Sequence, residues 1–222
     1  MNKILLERNE IENLEDLIPM IEKMYEFKFA KNETEKLSSF DQFCNKIIEK
    51  IDLKNSESCS SQQAFYKLRN SFSETGICDK QNLKLETEIE KLIPRKNRRN
   101  QIKKIETNIG FKINALSPPT FIEISLIILI LISLISIFFN WKFGIGGIAI
   151  SIIGFKLAKK FGKELNVKTI KDLVEKITAE SYLKIRTEKG TVNKTELKNI
   201  ITNWVAENAG IEKERLKTAT FA

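Results

Sequence analysis

Apolar and polar positions follow different rhythms along this 222-residue chain, and each rhythm predicts a different element. The densest run lies past the middle. From Ile124 to Phe139 there is no charge, and only Ser125, Ser133 and Ser136 interrupt isoleucine, leucine and phenylalanine. With Phe121 and Ile122 the run predicts a helix over Phe121–Phe139, about 28 Å long, which matches the hydrocarbon core of a bilayer. Glu123 falls near one end, within reach of the interface. The competing reading is the buried helix of a soluble domain, but so little apolar mass remains elsewhere that such a helix could not be covered on all sides. After Asn140 comes WKFGIGGIAISIIGFKLA, which predicts a second span over Trp141–Leu157, about 25 Å long, with Trp141 and Lys142 at the interface. Gly144, Gly147, Ser151, Gly154 and Ala158 recur at alternating steps of three and four, so they form one face of small residues along which a helix can approach. The approaching helix is the first span or a second copy of the chain, and the pattern fits both.

The flanking segments carry the looser period of amphipathic helices. Leu14, Leu17, Ile18, Ile21 and Met24 recur at helical spacing, with Pro19 awkward among them. A short turn is predicted at Thr34–Leu37. Ser38 or Ser39 then caps a helix with Phe40, Phe43, Cys44, Ile47 and Ile48 on its inner face. Ser60 or Ser61 caps another with Ala64, Phe65 and Leu68 inside. Thr87 and Glu90 are spaced as a capping box before Pro94. The expected fold class is all-α: a two-helix transmembrane hairpin flanked by small cytoplasmic helical bundles, divided as 1–117, 118–160 and 161–222.

The stretch NEIENLEDLIPMIEKMYEFKFAKNETEKLSSFDQFCNKI has an acidic amphipathic helix ending in an aromatic (Tyr25), an extended link (Phe27–Phe29), a turn, and a helix opening at SSFDQF. In that order and spacing it resembles the second half of an acyl carrier protein, without a gap from about Glu10 to Ile47 (10–48 in the division above). NKTELKNIITNWVAENAGIEKERLKTATF is similar to the opening helix and loop of the same family, with Ile200, Ile201, Trp204 and Val205 on its apolar face and Phe221 as the loop anchor. KELNVKTIKDLVEKI repeats the link-and-last-helix pattern. The resemblance departs at the modified serine. The Asp-Ser-Leu triplet that carries phosphopantetheine in the family falls on Glu10-Ile11-Glu12, and isoleucine has no hydroxyl to carry a phosphodiester. What the resemblance implies is a small helical bundle whose acidic face, Glu10, Glu12, Glu15, Asp16 and Glu22, docks a basic partner. It also implies that the two ends pack together out of the family's usual order, with Phe40–Ile48 against Ile200–Val205. The alternative is that the tail packs on KELNVKTIKDLVEKI instead.

Charge changes the picture in one respect. The net charge of +8 is concentrated at the outer flanks of the apolar hairpin: Lys91, Arg95, Lys96, Arg98, Arg99, Lys103 and Lys104 before it, Lys156, Lys159, Lys160 and Lys163 after it. Beside an apolar run, anionic headgroups are the simplest partners, so Arg95, Lys96, Arg98, Arg99, Lys103, Lys104, Lys156, Lys159 and Lys160 are candidate lipid contacts. No nucleic-acid motif accompanies the charge. Only Lys142 lies in the turn between the spans, so the positive-inside rule predicts a multi-pass protein of the inner (cytoplasmic) membrane with both termini in the cytoplasm. MNKILLERNEIENLEDL turns acidic after one short apolar patch, unlike a signal-peptide core.

Candidate chemistry is sparse. The chain has no histidine, hence neither the commonest general base nor the commonest metal ligand. Cys44, Cys59 and Cys78 lack CxxC spacing and suit reduced thiols rather than zinc or a disulfide framework. Cys59, in SESCSSQQ, has no histidine to activate it. There is no P-loop, nucleophile elbow or dinucleotide fingerprint. The expectation is a non-catalytic membrane-tethered adaptor or scaffold without cofactor or metal, bound to the bilayer and to an unknown protein partner, and a possible homo-oligomer. An accessory protein of lipid or acyl metabolism and a small oligomeric pore are the alternatives. The pore is disfavoured because neither span carries a polar stripe.

Overall fold

The structure is a computed structural model that describes residues 4–221. Its elements run β1 (Ile4–Leu5), α1 (Arg8–Met24), a 3-10 turn at Thr34–Lys36, α2 (Phe40–Ile51), β2 (Lys54–Asn55), α3 (Ser60–Glu74), α4 (Ile89–Leu92), α5 (Arg98–Ile109), β3 (Leu116–Ser117), α6 (Thr120–Ile137), α7 (Trp141–Phe161), β4 (Glu164–Leu165), α8 (Ile170–Glu180), α9 (Tyr182–Ile185), β5 (Thr191–Val192), α10 (Lys194–Ala209), α11 (Lys213–Lys217) and β6 (Ala219–Thr220). The protein is mostly helical, as the periodicity predicts. The strands are additions, paired as β1·β6 and β2·β5 in parallel and β3·β4 antiparallel. Two residues are too few to leave a period-two pattern in a sequence.

Two compact units are formed, and they do not follow chain order as the division 1–117, 118–160 and 161–222 does. The first comprises residues up to Leu68 together with Val174 onwards; the second is Arg69–Leu173. In the first unit the N- and C-terminal segments share one core. Phe40, Phe43, Cys44, Ile47 and Ile48 of α2 and Leu14, Leu17 and Ile21 of α1 are buried with Leu197, Ile201, Trp204 and Val205 of α10. Ala179 and Tyr182 belong to the same core but lie beyond KELNVKTIKDLVEKI (163–177), no residue of which is in it, so the core is the one expected between Phe40–Ile48 and the tail. The chain ends are tied by β1·β6, Ile4 opposite Ala219 and Leu5 opposite Thr220, and by an ion pair of Arg215 with Glu10 at 2.6 Å.

Local chemistry explains the helix boundaries. Glu7 and Glu10 form a capping box at the start of α1, which continues through Pro19. Ser39 caps α2, its hydroxyl accepting from the Gln42 N–H. The N-terminus of α3 is capped otherwise than expected: Ser60 and Ser61 are its first residues, and their N–H groups donate to the Glu196 carboxylate on α10. A carboxylate there satisfies two orphan donors and opposes the helix dipole. Buried Arg186 is a second tie, donating to Ser58, Ser60, Tyr182 and Thr191.

In the second unit the Thr87–Glu90 capping box is not formed. Thr87 instead accepts the Lys84 N–H in a turn, and Glu88 stands at the N-cap of α4. α6 and α7 are each long and apolar enough to cross a membrane, with mean hydropathy 2.6 and 1.4 over their best windows. α7 extends past Leu157 to Phe161, since lysine is a good helix former and charge alone does not end a helix. The small residues of α7 face α6. A side chain on Gly144 would meet Ile137 and Ser133, one on Gly147 would meet Ser133, and one on Gly154 would meet Leu126. Ser151 is buried and bonds back to the Gly147 carbonyl at 2.9 Å; Ala158 is half-buried. At the outer ends β3 pairs with β4, and Gly162 approaches the Ser117 carbonyl so closely that a Cβ there would overlap it.

One local plan occurs twice along the chain. Near the end of α1, Glu22 accepts the N–H of Phe29, seven residues on, at 2.8 Å; near the end of α5, Glu106 accepts the N–H of Ile113, seven residues on, at 2.9 Å. Between them lie Glu26-Phe27-Lys28 and Gly110-Phe111-Lys112, with Glu26 and Gly110 both at positive φ. At α2 and α8 the hydroxyls of Ser39 and Thr169 accept the N–H groups of Gln42 and Asp172, whose side chains accept the N–H groups of Ser38 and Lys168. Phe221 N–H donates to the Ser38 carbonyl, and Ile89 N–H to that of Lys168. After α10 and α3, Gly210 and Gly76 turn left-handed and Ile211 and Ile77 bond back five residues. Residues 4–51 with 194–221 thus follow the plan of 60–113 with 164–180. The 3-10 link of the first set stands where the second carries β3, α6, α7 and β4.

Candidate functional site

The exposed side of α1 is the most distinctive surface of the first unit. The helix spacing that buries Leu14, Leu17 and Ile21 turns Glu12, Glu15 and Asp16 outward. Beside them lies a recess of about 210 Å³, floored by Ile11, Leu14, Ile18, Leu37, Phe43 and Phe221 and rimmed by Glu15, Thr34 and Glu35. An apolar floor under a carboxylate rim suits an apolar side chain flanked by cations.

The five acidic residues expected as a docking face divide in two. Glu12, Glu15 and Asp16 are exposed, Glu12 with an ion pair to Arg8. Glu10 and Glu22 are buried and structural. Glu10 receives Arg215 and the Glu7 N–H. Glu22 receives Lys28 and the Phe29 N–H; the Lys28 hydrogen bond, aided by that N–H, holds its carboxyl below the usual range against the cost of burial. A carboxylate that leans back onto the backbone is not free to meet a partner; Glu12, Glu15 and Asp16 are the three that stand exposed.

The basic set also divides. Arg98, expected at lipid headgroups, is 1 % exposed: it donates to the carbonyls of Ile93 (3.1 Å) and Lys163 (2.7 Å) and to Glu90. Its fork fits two carbonyls that would otherwise lack donors, which holds it inside. Arg95 is exposed and paired with Glu164. Lys96, Lys103, Lys104, Lys156, Lys159 and Lys160 are exposed, and half-buried Arg99 lies over the Phe161 ring at 5.4 Å from its centroid.

The cysteines occupy unlike settings. Cys44 is fully buried, and burial pushes its thiol up to about 12. Cys59 is exposed, its sulfur 3.4 Å from the Glu196 carboxylate, which is already engaged in capping α3. Among the described residues no group of three or more acidic or cysteine side chains is placed to hold a metal ion. Sequence reasoning missed Glu196, Arg186 and Lys112, because each acquires its setting from segments distant in the chain.

No protein-family description matches the chain, and no curated protein and no solved structure is detectably similar to it.

Proposed function

We propose that this protein is a non-catalytic membrane-tethered adaptor. In this reading α6 and α7 cross the inner membrane as a hairpin, both ends of the chain lie in the cytoplasm, and the exposed face of α1 docks a basic protein segment. The observation that carries the docking reading is the apolar recess of about 210 Å³ with Glu15 and Glu35 on its rim and Glu12 and Asp16 nearby. A short amphipathic helix with one large apolar side chain between lysines or arginines complements it in shape and charge. The likeness of this segment to the second half of a carrier protein supports the same face, since carrier proteins meet basic partners there, while Ile11 in place of the modified serine argues against carrier activity.

The membrane reading rests on exposure. Only 6 % and 11 % of the two apolar windows are buried, which supports spans over the core helices of a soluble domain. Ile124, Ile127, Ile128, Leu131, Ile132 and Ile135 all stand open on α6. Soluble monomers seldom expose a contiguous apolar patch beyond a few hundred Å². The orientation rests on the basic outer flanks and the nearly uncharged turn.

The docking reading is tested by placing a photo-crosslinking residue at position 15 of the full chain in cells, with a second at exposed position 207 as control. One discrete adduct is expected at position 15, lost when Glu12→Gln and Asp16→Asn are added. Equal adducts at both positions, or an adduct indifferent to the charge change, would refute it.

A further inference from the structure

We infer that the recess at the foot of the α6–α7 hairpin binds the phosphate of an anionic lipid headgroup as a discrete site. The inference rests on the membrane reading above and deepens it. The recess measures about 550 Å³ and takes Arg99 and Lys103 from α5, Lys112 from the following link, and Lys159 and Lys160 from the end of α7. Glu106 is the single carboxylate in its lining, and it is turned to the Ile113 N–H. Among the described residues none of the five cations is paired with a carboxylate, the nearby Arg95 and Arg98 holding Glu164 and Glu90 instead. Like charges gathered in a concavity repel one another and raise the local potential until an anion neutralises them.

Position selects the source of that anion. Leu116 and Gly162 also line the recess. Leu116 belongs to β3, just before α6, and Gly162 directly follows α7, so the site lies where both apolar helices begin and end. Exposed Phe161 stands there under Arg99 and near Lys160, at 5.4 and 5.8 Å from its ring centroid. Cations held over an aromatic ring at the end of an apolar span suit a molecule that is apolar on one side and anionic on the other. A free phosphate would gain nothing from that ring or from the spans.

The repeated plan sharpens the argument. In the register that matches Glu22 with Glu106, Glu12 falls on Lys96, just before α5, Glu15 on Arg99, Asp16 on Asn100 and Pro19 on Lys103. The charge therefore changes sign at two matched positions, and Lys103 adds a cation where α1 has proline. That change is consistent with opposite ligands: a basic protein segment on α1 and an anionic headgroup at α5.

The full chain, purified in a neutral detergent, would be titrated with short-chain phosphatidylglycerol and phosphatidylcholine and read by native mass spectrometry. One phosphatidylglycerol is expected to bind in preference to phosphatidylcholine. Arg99→Gln/Lys159→Gln/Lys160→Gln should weaken it about a hundredfold, since each basic group near a headgroup contributes roughly a factor of five. Lys103→Gln/Lys112→Gln, a second variant confined to exposed positions, should weaken it about twentyfold, and unchanged binding in both variants would overturn the proposal. Lys80→Gln/Lys84→Gln/Lys91→Gln removes the same charge elsewhere in the unit and should change binding by no more than about twofold. An equal loss in that control would reduce the site to diffuse attraction and overturn the proposal; so would displacement of the lipid by millimolar inorganic phosphate. Carbonate extraction from vesicles reads hairpin insertion separately. A protein that holds phosphatidylglycerol in detergent yet is extracted by carbonate refutes the spans and leaves the site standing.

Discussion

Ile201→Ala tests whether the C-terminal helix closes the N-terminal core. Ile201 is 1 % exposed on α10, in the core that contains α1 and α2. Truncation removes three carbon atoms, about 2.4 kcal/mol at roughly 0.8 kcal/mol for each buried methylene. The cavity left behind adds to this, so a loss of about 3 to 4 kcal/mol is expected. The same core contains its own reporter. Cys44 is fully buried on α2, with its thiol held up at about 12, so it reacts with a maleimide only when the unit opens.

With Cys59→Ser and Cys78→Ser as background, the Cys44 labelling rate follows the open population. A loss of about 3 kcal/mol should therefore speed labelling more than 100-fold, at 1.4 kcal/mol for each factor of ten. Glu207→Ala, at an exposed position of the same helix, is the control and should change the rate less than about threefold. Ile201→Ala with labelling as slow as that control would refute the shared core, because Cys44 would then be protected without α10.

Four further outcomes follow from particular contacts. Glu33 receives Lys50 at 2.7 Å, Lys46 at 3.5 Å and the Ala30 N–H, and these hold its carboxyl at about 2 against an ordinary 4.5. A depressed folded value means stability present above about pH 4.5 and lost as pH falls toward 2; Glu33→Gln should flatten that part of an acid titration followed by Trp204 fluorescence. Gly147→Leu should lower the thermal midpoint of the micelle-bound protein, because its side chain would meet Ser133, whereas Gly146→Leu, with open space before it, should leave the midpoint unchanged. Arg98→Met strips donors from the Ile93 and Lys163 carbonyls and should cost about 3 kcal/mol in chemical denaturation, while exposed Lys104→Met should cost less than about 0.5. Glu26, at φ 57° where the second copy has Gly110, should tolerate glycine with a gain of about 1 kcal/mol in the same assay.

What was legible in the sequence was what periodicity and local chemistry decide. The apolar run and the small-residue steps mark α6, α7 and the face between them. Ser39 is readable as a cap because its partner lies three residues on. The shared core of Phe40–Ile48 and Ile201–Val205 could be anticipated from a resemblance, but no local pattern specifies it. Arg98 and Arg186 could not be read as buried: an arginine on a helix reads as surface until the carbonyls and hydroxyls that receive its donors are in place. The burial of Glu10 and Glu22 was illegible for the same reason, since Arg215 is distant in the chain and the Phe29 N–H depends on the turn after α1. The twofold plan hardly shows in residue identities because it resides in backbone hydrogen bonds, and one copy is assembled from both ends of the chain.

That plan explains how this fold carries two long apolar helices without losing its core. An insertion is tolerated where its ends stay close and its flanks keep their own bonds. The link before α2 is held at its close by the Ser39 cap and the Phe221–Ser38 bond; the link before α8 keeps the equivalent Thr169 cap and Ile89–Lys168 bond although both apolar helices have entered it. The two ends of the entry are clamped by β3·β4 and by the close approach of Gly162 to Ser117. Arg98 adds a third clamp, fixing the chain beyond α7 through the Lys163 carbonyl to the start of α5. The cations of α5 and of the end of α7 are therefore held in one geometry at the foot of α6 and α7. Such a geometry is what the proposed headgroup site needs beyond a merely basic flank, and in that proposal Arg98, drawn inside from the basic run before α6, is a positioning residue.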